Sequence, residues 1–136
     1  MDCLKDIFEK WTPIESLGNR YDVDKIRYCE EGISFDVSVD EKEPAPEIVR
    51  EFQIVWNFCD VISYHVTDET YRADCWGLDF ENDGRFYISQ KSDYIAELRK
   101  RSPLLPDNVI HFLIVGSNTV IDVLAREYPT VKALNV

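Results

Sequence analysis

Residues 109–125, VIHFLIVGSNTVIDVLA, restrict the fold more than any other stretch of the chain. Two apolar runs flank Gly116, Ser117 and Asn118, residue types that accept the backbone angles of a compact hairpin loop. Two strands joined there are the expected outcome. A second stretch points the same way: Ile33, Phe35, Val37 and Val39 alternate with Ser34, Asp36 and Ser38, the period of a half-buried strand. The Glu-Glu-Gly before it is a turn that pairs this strand with one around Ile26 to Tyr28. Residues 48–67, IVREFQIVWNFCDVISYHVT, are rich in β-branched and aromatic side chains and divide into strands near 50–56 and 60–67, hinged at Asn57–Asp60.

Helical spacing occurs in two places. Leu4, Ile7, Phe8 and Trp11 share one face, with Asp2 as cap and Pro13 as stop; Tyr94, Ile95 and Leu98 share another, with Ser92 as cap. The proline-broken segment 40–47 is a loop, and the tail from Arg126 closes the structure. These elements predict one α+β domain over residues 1–136, with a mostly antiparallel sheet and two or three helices. A chain of 136 residues, 45% hydrophobic, is long enough to bury one core. No apolar run approaches the ~20 residues of a membrane span, and the N-terminus lacks an apolar signal core, so a cytoplasmic protein is expected. Cys3, Cys29, Cys59 and Cys75 form no CxxC pair, which predicts reduced thiols, with Cys59 and Cys75 buried among apolar neighbours.

The formal net charge is −11, from 26 acidic against 15 basic residues. Such a field repels nucleic acid and anionic lipid and draws in basic partners, or it serves solubility alone. Part of it is concentrated in residues 78–88, LDFENDGRFYI, where Asp79, Glu81, Asp83 and Gly84 imitate the opening of a calcium loop. The imitation fails at its twelfth position, which is Gln90 instead of a bidentate Glu, and Leu78, Phe80, Phe86 and Ile88 alternate as strands do. A hairpin turning at Gly84 is therefore expected, with no metal and no cofactor.

Catalytic signatures are weak. His65 and His111 lie inside strand-like apolar runs, where a histidine is a satisfied core or edge residue more often than a base. Ser63 has no GxSxG turn around it, and Asp68 and Glu69, being adjacent on a strand, point to opposite faces. Walker and GxGxxG loops are absent. The basic run Arg99, Lys100 and Arg101 suits a helix C-terminus. Residues 68–83, DETYRADCWGLDFEND, instead suggest a binding surface: six acids against Arg72 alone, interleaved with Tyr71, Trp76 and Phe80. Aromatic anchors and steering charges suit a protein interface, so Asp68, Glu69, Tyr71, Asp74, Trp76, Asp79, Glu81 and Asp83 are the predicted partner-binding residues. The competing expectation is that Trp76 and Phe80 pack inward.

VISYHVTDETYR, followed by HFLIVGSNTVIDVLA and then YPTV, resembles small immunity proteins of bacterial polymorphic toxin systems over roughly residues 50–133. The resemblance implies a non-enzymatic inhibitor that binds a cognate toxin tightly, usually over its active site. Tyr64, Asp68, Glu69, Tyr71 and Arg72 match the first motif, and His111 and Asp122 the second. An acidic inhibitor would be drawn to a basic toxin. Two other classes stay open: an adaptor or chaperone-like module for another basic protein, and a small enzyme. A deep pocket holding His65 or His111 beside a perturbed carboxylate would favour the enzyme.

Overall fold

The computed structural model describes residues 7–14, 21–39, 51–76 and 85–134. Among them are nine strands and one α-helix: β1 (Glu9–Lys10), β2 (Tyr21–Cys29), β3 (Gly32–Val39), β4 (Glu51–Asn57), β5 (Val61–Asp68), β6 (Phe86–Ser89), α1 (Asp93–Arg101), β7 (Ile110–Val115), β8 (Thr119–Ala125) and β9 (Thr130–Ala133). Short 3-10 turns at Glu69–Tyr71 and Ala73–Cys75 follow β5. The strands form two sheets, ordered β1-β6-β7-β8-β5 and β2-β3-β4-β9, and every pairing is antiparallel.

Strand alternation builds the space between the sheets. Ile33, Phe35 and Val37 of β3 and Phe52, Ile54 and Trp56 of β4 meet Phe112 and Ile114 of β7 and Ile121 and Val123 of β8 in one buried cluster. Odd-numbered residues of β7 point to the opposite face of the five-stranded sheet. There Leu113 and Val115 pack with Cys75 and Tyr87, while Leu124 of β8 packs with Ile95 of α1. The five-stranded sheet is thus covered on both sides, by the second sheet and by α1 with the 3-10 turns. That is why β7 and β8 are continuous apolar runs whereas β3 alternates.

The Gly116–Asn118 loop is the expected hairpin turn, closed by Gly116 N–H donating to Thr119 O at 2.8 Å, and it also joins the sheets. Asn118 Oδ1 accepts from Val23 N–H and its Nδ2 donates to Val23 O, both at 3.2 Å, and Ser117 N–H donates to Tyr21 O at 2.7 Å. At the β2–β3 turn Gly32 has φ of +131°, and a Cβ there would sit 1.9 Å from the Trp56 carbonyl oxygen. Only glycine fits that position.

The expected strands at 33–39, 50–56 and 60–67, and the helix capped by Ser92, are present. Other expectations are corrected. The described residues contain one α-helix, not two or three, and the N-terminal helix does not extend to Trp11, because Glu9–Lys10 is a strand paired with Tyr87 and Ile88. Tertiary packing overrides the helical spacing there: Trp11 inserts edge-on against Phe86, Phe112 and Tyr128, and Phe8 against His111. Phe86–Ile88 is a strand, but its two edges are taken by β1 and β7, so it is not an arm of the expected hairpin. Gly84 and the calcium-like acids Asp79, Glu81 and Asp83 lie outside the described residues, as do Cys3, Phe80 and the 40–47 loop. Cys29 and Cys59 are exposed rather than buried, because one ends an edge strand and the other sits in the Asn57–Asp60 turn; Cys75 is buried, and all three are free. No helix of the described residues is long and apolar enough to cross a membrane.

Candidate partner-binding site and the network beneath it

Asp68 ends β5 and starts the first 3-10 turn. Its carboxylate accepts the Thr70 N–H at 2.9 Å, which holds its pKa below the ordinary carboxylate value. Glu69 N–H donates to Asn118 O at 3.3 Å and ties the turn to the β7–β8 loop. The two 3-10 turns then sort their side chains. Tyr71 is 80% exposed and Trp76 59% exposed, so Trp76 does not pack inward. Its indole N–H donates to the Glu69 carbonyl at 3.4 Å, which orients the ring on the surface. Cys75 points in, and burial pushes its thiol pKa up to about 12.

Arg72 also points in. Its guanidinium grips Asp74 through Nε at 3.0 Å and Nη2 at 3.1 Å, and it pairs with Asp122 of β8 through Nη1. Asp122 continues inward: its Oδ1 lies 2.7 Å from His111 Nε2, and His111 Nδ1 lies 2.7 Å from Ser92 Oγ. Ser92 in turn accepts the Ile95 N–H at 3.2 Å as the cap of α1. An ionised Asp122 can only accept, so Nε2 carries the proton of a neutral ring, and Nδ1 then accepts the Ser92 hydroxyl proton. Ser92, His111 and Asp122 are each buried. Burial raises the Asp122 pKa, but the His111 hydrogen bond and the Arg72 charge outweigh it and hold the carboxyl below its ordinary value. Burial likewise opposes the Arg72 charge and is overcome by Asp74 and Asp122, so the guanidinium stays protonated.

This chain of contacts borders a cavity of about 660 Å³ between α1, β5 and Phe8. Tyr94 of α1 stands in it, stacked on His65 at 4.5 Å between ring centroids, edge-on to His111, and bonded to Ser63 through its hydroxyl. Burial raises the Tyr94 pKa. The order Ser–His–Asp is that of a nucleophilic relay, but the parts are otherwise committed. The imidazole presents Nδ1 to serine and Nε2 to the acid, the reverse of the serine-protease arrangement. The serine caps a helix, and the aspartate is already neutralised by Arg72. As built, the network clamps α1, β7, β8 and the 3-10 turns together.

Of the residues predicted to bind a partner, Asp68, Tyr71, Asp74 and Trp76 are exposed on these turns and Glu69 is half-buried beside them. Asp74 is less free than the sequence suggested, since Arg72 holds both its oxygens. His65 is an exposed residue of the edge strand and His111 a fully bonded core residue, as their positions implied. Arg99 spends its guanidinium on the carbonyls of Leu105 and Pro106 after α1. Sequence reasoning singled out Arg72, His111 and Asp122 separately and Ser92 as a cap, without joining them. The available signal was that His111 and Asp122 are the polar interruptions of the two most apolar strands, and buried polar groups require partners.

Comparison with protein-family models, with characterised proteins and with solved structures gives no match to this chain.

Proposed function

We propose that this protein is a non-enzymatic binding protein, an immunity protein that neutralises a basic toxin by covering its active site, and that the 3-10 turns after β5 carry its anchors. The observation behind this reading is the pairing of two exposed aromatics, Tyr71 and Trp76, with a half-buried Arg72 whose ion pairs fix the backbone between them. Large, rigid aromatic side chains held ready before binding lose little entropy on association. The acids around them, Asp68, Glu69 and Asp74, belong to a chain of net charge −11 that steers a basic partner to the surface. Asp79, Glu81 and Asp83 extend the same acidic segment in sequence.

The test is co-purification from the native host, followed by binding measurements on the basic protein recovered. Trp76→Ala should weaken binding by about 2 kcal/mol or more, through dissociation. Asp68→Lys should slow association and reduce its salt dependence. A partner bound equally well by both variants would remove this surface from the function. An adaptor for a basic protein without toxic activity would give the same variant pattern, and an activity assay on the partner separates the two.

A small hydrolase is the second reading, favoured by the Ser92–His111–Asp122 chain on the cavity wall. A fluorophosphonate probe decides it. A covalent adduct on the native protein that is lost in Ser92→Ala would replace the binding reading with an enzymatic one.

A further inference from the structure

The strand leading into these turns has a property that its counterparts lack. Four strands lie at sheet edges among the described residues: β1, β5, β2 and β9. β1 has two residues and β9 four, too short to template much pairing. β2 is long but guarded. It carries Asp22, Asp24, Lys25 and Arg27, its register breaks between Asp24 and Arg27, and Lys25 has φ of +52°. Charges and a bulge are how exposed edges are kept from pairing. β5 has eight residues, VISYHVTD, with no charge before Asp68; its own register shift lies at its start, between Val61 and Ser63, and leaves Ser63–Asp68 in continuous register.

Its register fixes which backbone groups are free. Glu69 N–H donates to Asn118 O at one end of the β5–β8 ladder and Arg126 N–H to Asp60 O at the other. With Asp68 opposite Thr119, this phase places Ser63, His65 and Thr67 in bonded pairs with Leu124, Asp122 and Val120. Tyr64 and Val66 occupy the alternate positions, so their N–H and C=O groups face away from β8. Apolar surface lies along this same border. Eight large hydrophobics are exposed among the described residues, and five of them follow β5: Tyr28, Phe58, Val66, Tyr71 and Trp76. Phe58 precedes the strand, Tyr28 stacks on Tyr64 at 5.0 Å, Val66 is 44% exposed on the strand, and Tyr71 and Trp76 follow it. Apolar surface beside backbone groups that are unpaired among the described residues matches what an added strand requires.

We propose that β5 accepts an extended segment of a basic protein as an additional antiparallel or parallel strand, hydrogen-bonded at Tyr64 and Val66 and flanked by the aromatics from Phe58 to Trp76. This rests on the reading that the partner is a basic protein. Charge selects that occupant: Asp60 precedes β5, Asp68 and Glu69 end it, and the nearby Arg72 is spent on Asp74 and Asp122. Lysine or arginine at the ends of the incoming segment would meet those acids, whereas a second copy would bring another chain of net charge −11 to the same edge.

The test needs no cognate partner. The probe is an eight-residue peptide of alternating valine and threonine with lysine at both ends, added in millimolar excess while amide hydrogen exchange is followed residue by residue. Exchange at Tyr64 and Val66 should slow by about tenfold or more, with β2 amides unchanged. The same peptide ending in glutamates should give no protection. Val66→Pro should keep the β8 ladder, since that N–H makes no bond to β8, and should abolish protection at Tyr64; the glutamate-ended peptide remains decisive if that variant does not fold. Absent protection at Tyr64 and Val66, equal protection by the glutamate peptide, or protection that rises with protein concentration without peptide would overturn the proposal. Because the peptide lacks the aromatic-anchor contacts of a cognate partner, failure here leaves the Trp76 prediction standing, and failure there leaves this edge to be judged alone.

Discussion

Tyr71 and Arg72 are neighbours in sequence and opposites in use. Arg72 turns inward to a chain of buried polar groups whose every donor and acceptor has a partner inside the protein. Tyr71 turns outward and is 80% exposed, and Trp76 at 59% and Val66 at 44% also face solvent. The fold divides labour between the two residues. Groups with the richest chemistry, a serine, a histidine, an aspartate and an arginine, are consumed in holding elements together. Groups with the plainest chemistry, aromatic rings and the outward backbone groups of β5, are left exposed or without partners among the described residues. Ordering a recognition surface in advance lowers the entropy lost on binding, and the buried network supplies that order to the turns.

Cutting the network should therefore produce the largest effect. Asp122→Ala leaves the His111 N–H without its acceptor and the Arg72 guanidinium with Asp74 alone, and should cost about 3 kcal/mol in denaturant unfolding. It should also weaken partner binding, although Asp122 is buried and touches no partner. A loss no larger than that of an average surface substitution would show that the clamp is not what orders the turns.

Acid should act on the same group. The folded Asp122 carboxyl titrates below its unfolded value of about 3.9, so the unfolded chain takes up that proton first as pH falls. The stability it contributes is fully present above that unfolded value and is lost as pH drops through the lower folded one. Unfolding midpoints measured between neutral pH and pH of about 3 should fall for the native chain and fall less for Asp122→Asn. Parallel curves would mean that other carboxylates dominate.

Ser92→Ala removes both the cap of α1 and the acceptor–donor link to His111. A cost of about 1 kcal/mol is expected from the cap alone, with some addition for the unpaired ring nitrogen. Ser92→Thr retains both functions and should recover most of it, which a simple packing role for the site would not require.

The legible parts of this fold were those fixed by local chemistry. The alternation over 33–39, the Gly-Ser-Asn turn and the Ser92 cap each follow from a few adjacent residues, and each is present. Residues 8–11 depart from the helix because Trp11 and Phe8, despite their helical spacing, pack on Phe86, Phe112 and His111, distant in sequence. The site was half legible for a related reason. Composition marked residues 68–83 as acidic and aromatic, but which side chains of the described part, 68–76, face inward depends on Asp122, 50 residues beyond Arg72. The β5 edge was hidden altogether, since a strand's place in its sheet is set by pairing, and β5, before Asp68, carries none of the charges that guard the β2 edge.

The smallest effect is the one that separates the two sides of the turn most cleanly. Trp76 is largely exposed, and the one hydrogen bond its side chain makes among the described residues, to the Glu69 carbonyl, is long and solvent-accessible. Tyr71 is more exposed still. Replacing either by alanine removes little buried area and leaves no buried group unpaired, so the change in unfolding free energy should stay within about 0.5 kcal/mol. Arg72→Ala, one residue from Tyr71, should destabilise by several times that amount, because it strands the buried Asp122 carboxylate. Thermal and denaturant unfolding of the three variants side by side decides the matter. If Trp76→Ala proved as costly as Arg72→Ala, the indole would belong to the core, and a loss of partner binding in that variant could no longer be assigned to a surface anchor. If it proves neutral while binding weakens, the anchor and the clamp are separate devices built into one short stretch of chain.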